Sequence, residues 1–190
     1  MILGIAGHMR SGKDTLAAYF VRAHGFARVG FADALKDEVL TRLPRTLAAI
    51  GELAYPELST LAIGAYLLKT KPPVIRALLQ EYGTQVRRAD DPAYWLDRWE
   101  ERRPVWGNVV APDVRFTNEA EHVKAIGGMV VRVERPGHGG DGHESERLDF
   151  PWDHVFQNAG TIQDLERHAT TWYAARGGMI GEPPVQEFVT

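Results

Sequence analysis

The chain contains no cysteine. That absence removes disulfides, thiolate nucleophiles and every zinc site built on thiolate ligands, and it fits a reducing compartment. A large excess of either charge is also missing: 22 Lys and Arg stand against 25 Asp and Glu, a formal net charge of -3. Nothing in this balance demands a nucleic-acid backbone or an anionic membrane, so an anionic ligand must be met by local clusters of Arg and Lys. No apolar run approaches membrane-spanning length. The opening stretch Met1 to Gly7 has no basic lead-in and is too short for a signal-peptide core, so the expected setting is the cytoplasm. A length of 190 residues suits one sizeable core and is short for two, so a single domain is expected.

What is present alternates between short β-type runs and helical stretches. Ile2 to Ala6 is a compact apolar run suited to a buried parallel strand. Residues 13–24 read as a helix that Gly25 ends. Phe26 to Phe31 reads as a second strand, followed by a helix from about Ala34 to Leu43. Residues 44–104 read as helical throughout: Pro72-Pro73 starts one helix, with Val74 to Tyr82 as its body and Gly83 as its end, and Asp91-Pro92 starts another. Strand character returns at Val105 to Ala111. Asn118 with Glu121 resembles a capping box for a helix ended by Gly127-Gly128. Met129 to Glu134 alternates like a strand nearer an edge. Residues 135–149 are rich in Gly, His and charge and read as a loop or lid. His154 to Phe156 suits a last strand, and Thr161 starts a helix running to about Arg176. Strands separated by helices imply a parallel sheet covered on both faces, with ligands beyond the carboxyl ends of the strands.

The first of those ends carries the strongest motif. Gly7-His8-Met9-Arg10-Ser11-Gly12-Lys13 has the spacing of a phosphate-binding P-loop between a strand and a helix. Gly7 and Gly12 allow the backbone to curl its N–H groups, those of Arg10 and Ser11 among them, toward a polyphosphate. The helix beginning at Lys13 adds its positive end, and the lysine adds a full charge. The position after the lysine usually holds a hydroxyl that ligates Mg²⁺; here it is Asp14, with Thr15 next. A carboxylate can hold hydrated Mg²⁺ through water, so both residues are candidates for the metal.

Other candidates gather charge on a substrate. Lys36, beyond the second strand, suits an acceptor phosphate. Gln80 offers an amide to a base edge, and Arg88 offers a bidentate fork to a phosphate, with Arg87 as its solvated neighbour. Trp95 is a candidate wall for a base. Asp113, at the end of a strand, is placed to hold a metal or its water, and Arg115 could reach a phosphate. Arg132, Arg135, His143, Glu146 and Arg147 form the lid set, where arginines would gather on the migrating group as water is excluded. His138, Asp141 and His143 offer an alternative metal-binding reading, against which the lack of cysteine counts.

These segments together resemble the deoxynucleoside monophosphate kinase family of phages, a branch of the adenylate kinase-like P-loop enzymes. The matching runs are Ser11-Gly12-Lys13-Asp14-Thr15, Phe31-Ala32-Asp33-Ala34-Leu35-Lys36, Leu79-Gln80 through Gly83-Thr84 to Arg88, Asp113 to Glu119, His143 to Glu146, and Asn158-Ala159-Gly160-Thr161. They keep the family's order, and Asp after the P-loop lysine is usual there. The resemblance implies an α/β three-layer P-loop NTPase fold with a five-stranded parallel sheet, a helical acceptor-binding insertion at 36–100 and a lid at 135–150. It implies ATP and Mg²⁺, a deoxynucleoside monophosphate acceptor bound near Phe31, Asp33 and Lys36, and Asn158, Gly160 and Thr161 near the adenine of the donor. Partners would be small nucleotides, with no membrane and no stable nucleic-acid partner; a homodimer is left open. Rival readings are another small-molecule P-loop kinase, of dephospho-CoA or phosphomevalonate kinase type, and an ATP-binding regulatory protein.

Overall fold

The computed structural model describes residues 1–42, 46, 49–50, 60–138 and 147–178. The chain divides into two compact units, one made of Met1–Gly30 with Arg102–Thr190 and the other of Phe31–Glu101.

The first unit is built on a five-stranded, all-parallel sheet in the order β2-β3-β1-β4-β5. Its strands are β1 (Ile2–Ala6), β2 (Ala27–Arg28), β3 (Val109–Ala111), β4 (Met129–Glu134) and β5 (His154–Gln157). Alternation along β1 explains the layers. Leu3 and Ile5 join Leu16, Phe20, Phe156, Leu165 and Trp172 in a core on one face, where α1 (Lys13–His24) and the C-terminal helix Ile162–Ala174 lie. Gly4 points the other way. A Cβ there would stand 2.8 Å from Val114 and 3.5 Å from Val123, so the lack of a side chain lets the helix Thr117–Ala125 pack directly on β1. The result is the α/β three-layer architecture.

The second unit is helical. In chain order it holds α2 (Phe31–Arg42), α3 (Thr60–Thr70), α4 (Pro73–Gln80), a π-helix (Glu81–Arg88) and α5 (Tyr94–Arg102). The sheet unit then adds α6 (Thr117–Ala125) and α7 (Ile162–Ala174). Val39, Leu67, Leu68, Ile75 and Leu79 form the helical unit's own core, and Phe31 stacks on Trp99 at 4.8 Å. Among the described residues no helix is long and apolar enough to cross a membrane.

Several boundaries differ from the sequence expectation. Strand β2 pairs only at Ala27–Arg28, because Phe31 already opens α2, with its ring stacked on Trp99. Strand β3 begins at Val109 rather than Val105, whose side chain is exposed, as is that of Trp106. Gly83 does not end a helix. The chain continues through it as the π-helix, and Gly83 is buried with Leu35 Cδ2 3.0 Å from where a Cβ would sit. Its role is close packing. Helix α6 is capped by Glu119, not by Asn118 with Glu121: the Glu119 carboxylate accepts from the amides of Arg115 at 2.8 Å and Phe116 at 3.2 Å. Most of the stretch between Leu43 and Ser59 lies outside the described residues.

Candidate functional site

In a parallel sheet the loops that follow the strands all leave from one edge. The loop after β1 occupies the middle of that edge. Three of its residues have positive φ: Gly7 at 150°, Arg10 at 64° and Gly12 at 106°. Glycine tolerates such angles, whereas Arg10 pays roughly 1–2 kcal/mol of steric strain. Strain of this kind persists where the surroundings over-determine the backbone.

The surroundings do so here. A Cβ on residue 7 would lie 2.6 Å from Ser11 Oγ and 2.7 Å from the Val133 carbonyl, and one on residue 12 would run into Asn158 Nδ2. Ser11 N donates to the His8 carbonyl at 3.2 Å, closing the turn. Lys13, only 8% exposed, donates from Nζ to the same carbonyl at 3.3 Å. Asn158, the residue after β5, donates from Nδ2 to the Ser11 carbonyl at 2.7 Å. The Ser11 hydroxyl is buried and has no hydrogen-bond partner among the described atoms.

A curled loop at the start of a 12-residue helix, with a nearly buried lysine, fits a polyphosphate. The fit to Mg²⁺ is of a different kind. Among the described residues no three carboxylates or imidazoles cluster as a ready-made cage. Mg²⁺ commonly rides on substrate phosphates with only one or two protein ligands, and the residues here suit that. Asp113 follows β3 at the level of Ala6 by the register Gly4↔Ala111, and Val114 N donates to the Ile5 carbonyl at 3.2 Å. Thr15 is partly buried in the first turn of α1. Asp14 is 75% exposed on its side chain, with Arg28 Nη2 3.6 Å away.

The same edge gathers other candidates. Arg132, expected in the lid, is instead a residue of β4 level with Ala6; its Nε is 3.0 Å from Glu134 Oε1 and its guanidinium lies 4.4 Å from the Trp152 ring centre. Arg115 is partly buried just before α6. Arg135 and Arg147 are exposed, and His143, Glu146 and Asp141 lie outside the described residues. Thr161 caps α7. Its hydroxyl accepts from Asp164 N at 3.2 Å, while Asp164 Oδ2 accepts from Thr161 N at 2.9 Å and Oγ1 at 2.8 Å. Gly160 lies under that carboxylate, which a Cβ at residue 160 would approach to 2.6 Å.

The remaining candidates belong to the helical unit. Asp33 and Lys36 form a 2.8 Å ion pair on α2. Gln80 ends α4, and Arg88 ends the π-helix with Nη1 3.5 Å from the Pro92 carbonyl. Trp95 is 3% exposed, and its indole N–H donates to the Gly83 carbonyl at 3.0 Å. Arg87 is not a solvated neighbour of Arg88, because it pairs with Glu38 and donates to the Tyr82 hydroxyl at 3.0 Å. The sequence reading missed Glu38 entirely. Nothing in the sequence marks it apart from the other carboxylates on the helix of Val39.

No family model matches the chain. Over 193 aligned residues it is 29% identical to an Acanthamoeba polyphaga mimivirus protein named "Putative deoxynucleotide monophosphate kinase", covering 87% of this chain and 92% of that one. The relative carries a kinase's name. Among solved structures, the crystal structure of TT1252 from Thermus thermophilus is similar with a TM-score of 0.47 and 20% identity, over 92% of this chain and 97% of that one.

Proposed function

We propose that the protein is a nucleotide kinase that transfers the γ-phosphoryl group of ATP to a deoxynucleoside monophosphate, giving the diphosphate and ADP. The observation that carries this reading is the P-loop itself: a strained, braced turn between β1 and α1 with Lys13 almost buried at its end. The name of the mimivirus relative supports a nucleotide acceptor over other P-loop kinase substrates.

In this reaction an oxygen of the acceptor phosphate forms a bond to the γ-phosphorus. The bond from that phosphorus to the β–γ bridging oxygen breaks, and ADP leaves with the electron pair. A phosphate monoester is already anionic near neutral pH, so no general base is required. The work falls to positioning and charge. The amides of the P-loop and Lys13 would hold the β- and γ-phosphates of the donor. Mg²⁺, held near Asp113 and Thr15 with Asp14 acting through water, would neutralise charge on those phosphates. Asn158 keeps the loop closed from beneath, while Gly160 and Thr161 shape the turn that follows it, on the adenine side. Arg88, Lys36 and Gln80 would receive the acceptor, with Asp33 holding Lys36 through its ion pair and Phe31 and Trp95 as further substrate-side residues. Arg115 and Arg132 beside the loop, and Arg135 and Arg147 of the expected lid, would be the arginines available to the migrating group; His143 and Glu146, expected in the same lid, lie outside the described residues.

The test is ADP release from ATP and Mg²⁺ with a panel of dAMP, dGMP, dCMP and dTMP, beside dephospho-CoA and phosphomevalonate. Turnover with one or more deoxynucleotides is expected. Turnover only with the last two would assign a different small-molecule kinase, and tight ATP binding without any acceptor-dependent release would assign a regulatory protein.

A further inference from the structure

Glu38 sits on α2 with a side chain only 10% exposed, and it collects four donors. Oε1 accepts from the Tyr82 hydroxyl at 2.8 Å and from Arg87 Nη2, and lies 3.0 Å from Arg42 Nε. Oε2 accepts from the Tyr94 hydroxyl at 2.7 Å. The Arg87 guanidinium lies 5.4 Å from the ring centre of Tyr82 and 5.0 Å from that of Tyr94. Its Nε is buried without a hydrogen-bond partner among the described atoms. Arg87 is therefore held by Glu38 and the two aromatic rings. Burial works to raise the Glu38 carboxyl, but the hydrogen bonds from Tyr94, Tyr82 and Arg87 outweigh it and keep the group ionised below the usual carboxylate range.

The position of these partners in the chain makes the cluster more than an ordinary ion pair. Tyr82 and Arg87 are five residues apart. In an α-helix, at about 100° per residue, they would stand about 140° apart around the axis. Winding with i→i+5 hydrogen bonds brings such a pair onto one face, and π segments of this kind recur at functional sites. The π-helix Glu81–Arg88 is the segment that carries both. Gln80 immediately precedes it and Arg88 is its last residue. A return to α winding would break the shared grip on Glu38 and rotate Arg88 relative to Gln80.

We infer that Glu38 is a positioning residue: through Arg87, Tyr82 and Tyr94 it locks the π winding of Glu81–Arg88, and that lock sets where Gln80 and Arg88 present an amide and a guanidinium to the acceptor nucleotide. The part concerning the acceptor rests on the kinase reading; the lock itself does not.

The experiment pairs two readouts on the full chain, comparing the wild type with Glu38→Gln, Arg87→Lys and Tyr94→Phe. The first is amide hydrogen exchange over residues 81–88 without ligand. The second is KM for the deoxynucleotide acceptor and, separately, for ATP. Loss of a charged hydrogen bond is expected to speed exchange across 81–88 and raise acceptor KM by about tenfold each, with ATP KM unchanged. Tyr94→Phe keeps the ring and removes one hydrogen bond, so it carries the test with a smaller effect in the same direction if Glu38→Gln does not fold. Unchanged exchange at 81–88 in a folded variant would overturn the lock, whatever the enzyme does. Faster exchange with an unaltered acceptor KM, or with both KM values rising together, would overturn the positioning role. If the wild type phosphorylates no nucleotide, the kinase reading falls and with it the positioning role, while the exchange arm still judges the lock.

Discussion

Lys13 owes its position to the residues that box it in. With its ammonium group 3.3 Å from the His8 carbonyl and little exposure, it is held at the end of the loop by the protein alone. Replacing it with methionine preserves the stem's packing and removes the charge. Lys13→Met should cost about 3 kcal/mol of transition-state stabilisation, on the order of a hundredfold in kcat, with a far-ultraviolet spectrum like that of the wild type. Near wild-type turnover would remove Lys13 from the chemistry. Asn158 acts one step back. Its amide binds the Ser11 carbonyl from the end of β5, so Asn158→Ala should raise the KM for ATP by about tenfold through loss of one buried hydrogen bond, leaving acceptor KM unaltered. At this scale the sequence was partly legible. The glycines and lysine of the loop announced themselves by spacing, whereas the left-handed backbone of Arg10 has no signature in its residue type, and the brace from Asn158 is a contact 147 residues apart along the chain.

Helix ends and helix winding show where local rules stop. Pro72-Pro73 and Thr161 marked starts correctly because capping is a local affair, and Thr161 exchanges bonds with Asp164. The Asp91 carboxylate accepts from Ala93 N at 2.9 Å, but the chain turns through Pro92 and Ala93 and the helix begins only at Tyr94. Asp164 gains so much from this that its carboxyl is pulled down to about 2, by the Thr161 amide first, then the Thr161 hydroxyl and Arg167. A depressed carboxylate stabilises the fold above the ordinary pKa of about 3.9 and loses that contribution as pH falls toward 2. An NMR titration should therefore place the Asp164 midpoint near pH 2, with fraying of the first turn of α7 over the same window. A midpoint near 4 would dissolve the cap. Gly83 shows the opposite case. As a sequence signal it reads as a helix terminator, but tertiary packing against Leu35 makes it a contact residue inside a continuous helical run. Gly83→Leu should overpack this spot and lower stability by about 1–3 kcal/mol in urea unfolding, without changing the affinity for ATP.

For the molecule as a whole, alternation of strand and helix together with the family resemblance led to the five parallel strands and three layers, and the register confirms them. The two-residue length of β2 was not legible, since pairing length depends on where the chain turns away into α2 at Phe31. The division into a sheet unit and a helical unit has a thermodynamic consequence. The P-loop, its Asn158 brace and Asp113 all belong to the sheet unit, so ATP binding energy should appear there first. A ligand that binds only the folded state at a hundred times its Kd adds about 2.7 kcal/mol, which for a chain of this size corresponds to a rise of roughly 5–10 °C in Tm. ATP with Mg²⁺ should produce that rise and slow amide exchange around Gly7–Lys13 and in α1. The rise should shrink sharply in Lys13→Met and persist in Glu38→Gln, because the first change lies in the loop proposed to hold the donor and the second only in the helical unit. An equal loss of ATP stabilisation in both variants would mean that the donor site is not confined to the sheet unit.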